Sequence, residues 1–205
     1  MPRPRSLTQG QIAAAALAVL DRDGLPSFSM RAVATELGMG TMSLYRYVAD
    51  RDELEALAVD LVLGSVPLAA EGSPRARVLA LVERQRAAVA AHPATIPLTV
   101  RHRQRSAATQ RWGEAVLGAL TEAGLTGAER GLAFRAIIAY LIGGLHLEDQ
   151  ASLSGPGTDA LAALRDSPLL AETARAVRST PDEREFAHGL AALLDGLGLN
   201  GPATP

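Results

Sequence analysis

Cysteine is absent from the 205 residues, which excludes disulfides, thiolate metal sites and cysteine nucleophiles. Lysine is absent as well, so all 20 basic residues are arginine. With the heavy use of Ala, Gly and Leu, this reads as the codon bias of a GC-rich bacterial genome and carries no functional signal. Aromatic residues make up only 3% against 48% hydrophobic, so any core is built from Leu, Ala, Val and Ile. Ala and Leu are the strongest helix formers, and the β-branched and aromatic enrichment of strand proteins is missing. No run approaches 18 apolar residues, which argues against a membrane span. The basic start, residues 1–8, leads into an amphipathic stretch and not into the apolar core of a signal peptide. The expected location is cytoplasmic. The four histidines are scattered at 92, 102, 146 and 188, and no Ser/His/Asp spacing, paired carboxylates or phosphate loop accompanies them. A helical enzyme is therefore a remote reading.

What is present is helical periodicity, with enough chain for one or two domains with real cores. Thr8 and Gln11 stand at capping-box spacing ahead of the stripe Ile12, Ala15, Ala16, Val19 and Leu20, which Gly24 stops. Asp50 and Glu53 open a fourth helix with the stripe Leu54, Leu57, Ala58, Leu61 and Val62. Pro67 and Gly72-Ser73-Pro74 mark a boundary. Helices follow over 75–91 and 108–123, separated by a segment broken at Pro93 and Pro97 and an Arg-rich patch over 101–111. Thr126 and Glu129 open a long helix through Phe134, Ile137, Ile138, Leu141, Ile142, Leu145 and Leu147, apolar on nearly all sides and holding Gly143-Gly144. A loop over 151–158, short helices near 159–165 and 167–178, and a last helix with Thr180 as N-cap complete the chain. The tail over 198–205 is expected to fray. The fold class is all-α, with no strand and no internal repeat.

The stretch over 29–51 organises the rest. Val33, Ala34 and Leu37 share one helical face, Gly38 interrupts, and Leu44 and Tyr47 restart the face. Two helices of about seven residues are too short to stand alone, since roughly 12 to 15 are needed, so they must pack on each other and on a neighbour. Small Ala34 suits a close crossing, and Gly38 suits the left-handed turn that ends the first helix. This is helix-turn-helix spacing, although an ordinary helical hairpin presents the same features. Charge distribution agrees with DNA contact at this end: residues 1–51 carry six Arg and four acids, net +2, while the remainder carries fourteen and eighteen, net −4.

A three-helix head with that spacing, a connecting helix and a larger helical body resembles the tetracycline-repressor (TetR) family of bacterial transcription regulators. The resemblance rests on Leu37-Gly38-Met39, Leu44-Tyr45, Val48 and the charged helix start Asp50 to Leu54. More faintly, residues 86–97 and Leu147-Glu148-Asp149-Gln150 resemble the body of the tetracycline repressors proper. It implies a helix-turn-helix DNA-binding domain over 1–51, a connecting helix and linker over 52–72, and an effector-binding and dimerisation domain over 73–205. By that resemblance the third helix enters the major groove, with Thr41, Met42, Ser43 and Tyr45 at base edges, Arg31 at a base or phosphate, and Tyr47 and Arg51 at phosphates. Tyr45 and Tyr47 packed in the head and Arg46 and Arg51 merely solvated is the alternative. Arg3 and Arg5 form a flexible arm or a disordered terminus.

In the body, His102, Trp112, Tyr140, His146 and Glu148 are candidate effector-pocket residues, being polar or amphipathic side chains in apolar helices. The run Arg101 to Arg105 suits an acidic ligand or a solvated face. Ile138, Leu141, Ile142, Leu145, Phe186, Leu190, Leu193 and Leu194 are the implied dimer interface. The tetracycline repressors hold a magnesium-drug chelate, but this sequence has Ile96-Pro97-Leu98-Thr99 and Tyr140 where its ligands would stand, so neither metal nor cofactor is expected. The resulting expectation is a homodimeric, ligand-responsive repressor released from a palindromic double-stranded DNA operator by a small, largely apolar effector, with no catalytic residues. A regulator controlled by a protein partner is the alternative.

Overall fold

A computed structural model of the chain describes residues 7–199. The expected Arg3 and Arg5 arm, and residues 200–205 of the expected frayed tail, lie outside the described residues. The regular elements are all helical: α1 (Gln9–Ser27), α2 (Met30–Glu36), α3 (Thr41–Leu44), α4 (Arg51–Gly64), α5 (Pro74–Ala90), a 3₁₀ turn (Pro93–Thr95), α6 (Ile96–His102), α7 (Ala107–Glu122), α8 (Gly127–Gln150), α9 (Pro156–Ala162), α10 (Pro168–Val177) and α11 (Asp182–Gly196). The chain divides into two compact units, Met1–Pro67 with Ala87–Glu114 and Leu68–Arg86 with Ala115–Pro205. The first unit takes in α4, the 3₁₀ turn and α6 in addition to the expected head.

Helix α1 starts where its capping box places it. The Thr8 hydroxyl accepts from the Gln11 N–H at 3.3 Å, and the Gln11 amide oxygen accepts from the Thr8 N–H at 3.0 Å. Ile12, Ala16, Val19 and Leu20 are fully buried, and α1 packs on α2 and α4. Gly24, at φ 73°, breaks the helix one turn before its nominal end. The Ser29 hydroxyl caps α2 by accepting from the Ala32 N–H at 3.2 Å. At the other end Gly38 takes φ 66°, and the N–H groups of Gly38 and Met39 return to the carbonyls of Thr35 and Ala34. Val33, Ala34 and Leu44 are wholly buried, as two short helices require.

Three expectations in this unit need correction. Helix α3 ends at Leu44 and not near Tyr47, because the Arg46 and Tyr47 N–H groups bond three residues back, to Ser43 and Leu44, which tightens the chain out of α geometry. The buried face of α4 is Leu54, Glu55, Ala58, Val59, Val62 and Leu63, while Leu57 is only half-buried and Leu61 is exposed. The true stripe is therefore rotated, and it carries a carboxylate. The segment expected to be broken at Pro93 and Pro97 is helical, because each proline sits in a first turn where its missing N–H costs nothing. Its Ile96 and Leu98 are buried, and α6 packs on α4.

In the second unit α8 packs on α11, and α9 packs on α10. Thr126 occupies the N-cap of α8 without a side-chain cap bond, and α11 is capped by Pro181, one residue later than Thr180. Helix α9 runs three residues ahead of its expected range. Helix α8 buries Ala133, Ile137, Leu141 and Leu145 in register, and α11 buries Phe186, Leu190 and Leu194. Leu141, Leu145, Phe186, Leu190 and Leu194 are thus core residues of a single chain. Ile138, Ile142 and Leu193 are half-buried and keep accessible surface. Over its most apolar eighteen residues α8 reaches a mean hydropathy of 1.3, long and apolar enough to cross a membrane, yet only 22% of that window is buried. Its exposed face presents Leu132, Ala139, Gly143 and Leu147.

The two interior glycines of α8 differ. A Cβ on Gly144 would stand 2.6 Å from the Phe186 ring, and one on Gly189 would stand 2.1 Å from the Tyr140 hydroxyl, whereas Gly143 has open space. Gly144→Ala and Gly189→Ala are each expected to lower the stability of this unit by about 1–3 kcal/mol, as overpacking does. Gly143→Ala is expected to hold or raise the stability of the single chain by up to about 0.5–1 kcal/mol through helix propensity, read at a protein concentration low enough to separate two copies. Urea unfolding of the three variants checks the contrast.

Candidate nucleic-acid interface and effector cleft

The turn between α2 and α3 presents an outer surface that covers no core. Met42 is 80% exposed and Tyr45 47%, while Leu44 and Val48 between and beside them are buried. Arg31, Arg46, Tyr47 and Arg51 are exposed, and Thr41 and Ser43 are half-buried at the start of α3. The alternation follows from the short helix: Leu44 and Val48 anchor it inward, so Thr41, Met42 and Tyr45 take the outer side. The structure brings Arg31, Thr41, Met42, Ser43, Tyr45, Tyr47 and Arg51 into the first unit.

Arg51 is held more firmly than a solvated surface arginine. It is the first residue of α4, behind Asp50, whose carboxylate accepts from the Glu53 N–H at 2.9 Å. Its Nε donates to Glu55 Oε1 at 2.8 Å, its Nη2 donates to the Leu25 carbonyl at 3.2 Å, and its guanidinium lies 5.7 Å from the Phe28 ring centre. Glu55 is 1% exposed. Its second oxygen meets His102 Nε2 and Arg101 Nη1, each at 3.1 Å. Beside it, Arg105 donates to Asp52 at 2.8 Å. Burial pushes the Glu55 carboxyl up, but the bonds from His102, Arg51 and Arg101 outweigh it and hold the group below the usual carboxylate range. Ligand atoms of Asp52, Glu55 and His102 lie within 4.8 Å of one another, a spacing that suits a cation. Arg51, Arg101 and Arg105 already supply the positive charge those carboxylates require.

Two of the candidate pocket residues lie in this unit. His102 is 2% exposed and serves the Glu55 cluster, and Trp112 is a buried residue of the first unit, so neither belongs to the unit that holds Tyr140, His146 and Glu148. The Arg101 to Arg105 run is likewise tied down, since Arg103 donates to the Val100 carbonyl while Arg101 and Arg105 serve carboxylates. Glu55 itself escaped the sequence reading. Its signal was its register, one residue after Leu54 and three before Ala58, on the face that packs inward.

In the second unit, Ala139, Tyr140, Gly143, Gly144, Leu147, Glu148, Asp182, Glu185 and Phe186 line a cleft of about 270 Å³ between α8 and α11. Tyr140 and Glu148 were foreseen; Asp182 and Glu185 were not. His146 is half-buried, with a buried Nδ1 that lacks a hydrogen-bond partner, and does not line the cleft. The Tyr140 hydroxyl donates to the Phe186 carbonyl at 3.0 Å. Glu148 Oε2 accepts from Arg86 at 3.0 Å, while its Oε1 is buried without a hydrogen-bond partner. Arg86 also bonds Glu83 and lies 5.3 Å from the Phe186 ring centre. Burial pushes the Glu148 carboxyl above the usual range, and Arg86 offsets this only in part. Burial and neighbouring Asp182 push Glu185 up as well. The cleft is apolar and aromatic on its walls and acidic at its edge.

Residues 66–199 match the family described as "Tetracyclin repressor-like, C-terminal domain". The chain belongs to the TetR family of transcriptional regulators. It is 31% identical over 213 residues to the HTH-type transcriptional repressor DrrR1 of Streptomyces coeruleorubidus, covering 96% of this chain and 78% of that protein. It is 34% identical over 144 residues to an HTH-type transcriptional regulator of Saccharopolyspora erythraea, covering 69% of this chain and 61% of the relative's length. The solved TetR family protein ActR of Streptomyces coelicolor, in complex with actinorhodin, superposes with a TM-score of 0.82 at 26% identity over 98% of this chain and 100% of that one. Regulators of this family bind DNA operators and small-molecule effectors, act as dimers and are not enzymes.

The raised Glu185 carboxyl makes a pH prediction. A group whose folded-state pKa lies above its unfolded value costs stability once it is charged, so Glu185 destabilises the fold above the raised pKa and not below the unfolded one. Glu185→Gln is therefore expected to stabilise the protein modestly at neutral pH, with the gain vanishing below about pH 4, where the carboxyl is protonated in both states. Thermal unfolding of the variant and the wild type across that range measures it.

Proposed function

We propose that this chain is a homodimeric, ligand-responsive transcriptional repressor, whose α2–α3 hairpin reads the major groove of a palindromic operator. The observation that carries the reading is the outer surface of that hairpin. Met42 and Tyr45 are large, largely apolar and in water, on a short helix whose inner residues are fully buried. Such exposed surface suits thymine methyls and base edges, while Arg31, Tyr47 and Arg51 beside it suit phosphates. Two copies related by a two-fold axis would place their hairpins about 34–36 Å apart, one turn of duplex.

The α8–α11 cleft supports control by a small molecule in preference to a protein partner. Its volume lies just below the roughly 300–1,000 Å³ of ligand sites, and an apolar wall with few polar groups is their usual composition. ActR, similar over nearly the whole chain, binds actinorhodin, which agrees with a largely apolar effector here. Release requires only that the effector bind one conformer of the repressor more tightly than the other. The exposed apolar face of α8 that we assign to the second copy, with Ile138 and Ile142 at its margins and Leu193 on α11, includes Ala139, Gly143 and Leu147 of the cleft wall, so a second copy seated there closes the open side of the cleft.

Selection from a random duplex pool, followed by fluorescence anisotropy at several salt concentrations, tests the DNA reading. Sequence-selective binding with a log–log salt slope steepened by about 0.9 for each phosphate neutralised is expected, and its absence would sink the reading. Met42→Ala and Tyr45→Ala are expected to weaken binding to the selected duplex by about 1–3 kcal/mol each, with binding to unrelated duplex nearly unchanged.

A further inference from the structure

We infer that Glu55 is a positioning residue for DNA binding: a buried carboxylate that sets the guanidinium of Arg51 in the orientation in which it meets a phosphate. The inference rests on the reading of Arg51 as a phosphate contact. Arg51 is restrained on three sides, by the Glu55 carboxylate through Nε, by the Leu25 carbonyl through Nη2 and by the Phe28 ring beneath. Two of its five N–H donors are used in those bonds and its side chain is 47% exposed, which leaves three donors for a ligand. A long arginine ordered before its ligand arrives loses less rotamer freedom on binding.

Glu55 does this without cancelling the charge it directs. Its two oxygens are shared among Arg51, Arg101 and His102, and Asp52 is engaged by Arg105. Three guanidiniums stand against two carboxylates in the cluster, so positive charge is in excess. The shared carboxylate therefore fixes geometry while the site stays attractive to a polyanion. Its other donors, on α6, remain in place when Arg51 is removed, so Glu55 is still compensated in that variant.

Two effects of Glu55→Gln have opposite signs, which makes the inference decidable. Removing a negative charge near the duplex strengthens binding if Glu55 acts only through the field of the protein. The Gln amide keeps one accepting oxygen where the carboxylate has two, so it cannot serve both Arg51 and the α6 donors, and binding weakens if Glu55 acts by position. The test uses the full chain and a short duplex selected by the wild type, with Arg51→Gln, Glu55→Gln and the double variant measured across salt concentrations. Expected are an affinity loss of about tenfold for each single variant, the scale of one charge-assisted hydrogen bond, and no further loss in the double variant. Arg51→Gln should also flatten the salt slope by about 0.9, and Glu55→Gln should flatten it in the same direction. Tighter binding by Glu55→Gln, or losses that add in the double variant, overturns the positioning role. So does an Arg51→Gln variant that binds as well as the wild type. Glu55→Asp, which keeps the charge with a shorter reach, separates folding from position: native thermal stability with weakened binding supports the inference, and a melting temperature that falls in step with affinity across all variants overturns it. Failure of the wild type to select any duplex is a different outcome, which defeats the DNA reading itself.

Discussion

A carboxylate taken out of water must be met by positive charge or hydrogen-bond donors, and Glu55 imposes that demand on the first unit. Leaving one partner of a buried ion pair unmatched costs about 3–5 kcal/mol, so the partners cannot be optional. They come from two elements. Arg51 is one turn back on the same helix, and Arg101 and His102 close α6. The position of α6 is thus set by charge as well as by Ile96 and Leu98, which explains how a seven-residue helix carrying Pro97 holds its place against α4. The same demand tethers Arg51, which would otherwise wander as surface arginines do.

The second unit solves a comparable problem less completely. Arg86 is buried between Glu83 and Glu148 and stays charged because both carboxylates oppose the effect of burial. Glu148 gives one oxygen to that pair and keeps the other buried and unbonded, at the wall of a cleft. The surrounding packing is correspondingly tight: Phe186 fills the space a side chain on Gly144 would take, and the Tyr140 hydroxyl fills the space at Gly189. Rigid walls beside an incompletely satisfied carboxylate are a combination that a core alone has no reason to keep, and it supports reading the cleft as a binding place.

Much of this was legible in the chain because local rules decided it. Thr8 with Gln11, Ser29, Asp50 and Gly38 act within three or four residues of themselves, and their caps and turn formed as written. The outer residues of the hairpin came from the family resemblance, whereas periodicity placed Tyr47 on the inner face with Leu44 and the structure leaves it exposed. Legibility failed where the deciding contact lay far along the chain. The bond of His102 to Glu55 could not be read because that partner stands 47 positions earlier. Leu141, Leu145, Phe186, Leu190 and Leu194 looked like a surface for a second chain because nothing local shows that α8 and α11 bury those residues against each other. Proline misled at α6 for a different reason: it was read as a breaker, when its first-turn position makes it a tolerated start.

The corrected burial changes which part of α8 is left to be covered, and with it the argument for a second copy. A helix with only 22% of its most apolar window buried has not hidden its hydrophobic surface within one chain. A bilayer is one cover, but the exposed face mixes Leu132 and Leu147 with Ala139, Gly143 and the charged Arg135. Small residues at Ala139 and Gly143 are poor contributors to lipid-facing area and good ones to close helix–helix approach, and Gly143 has nothing within reach of an added Cβ in the single chain. An arginine on the same face is costly in hydrocarbon, by about 2.5–3.5 kcal/mol at the helix centre, yet easily paired across a protein interface. A closed two-fold pairing buries the same face on both copies at once, and it is the arrangement that sets two hairpins at a fixed spacing. The apolar face of α8 therefore supports a dimer by the same reasoning that supports the operator's palindrome, since the symmetry of the DNA site follows from the symmetry of the protein that reads it.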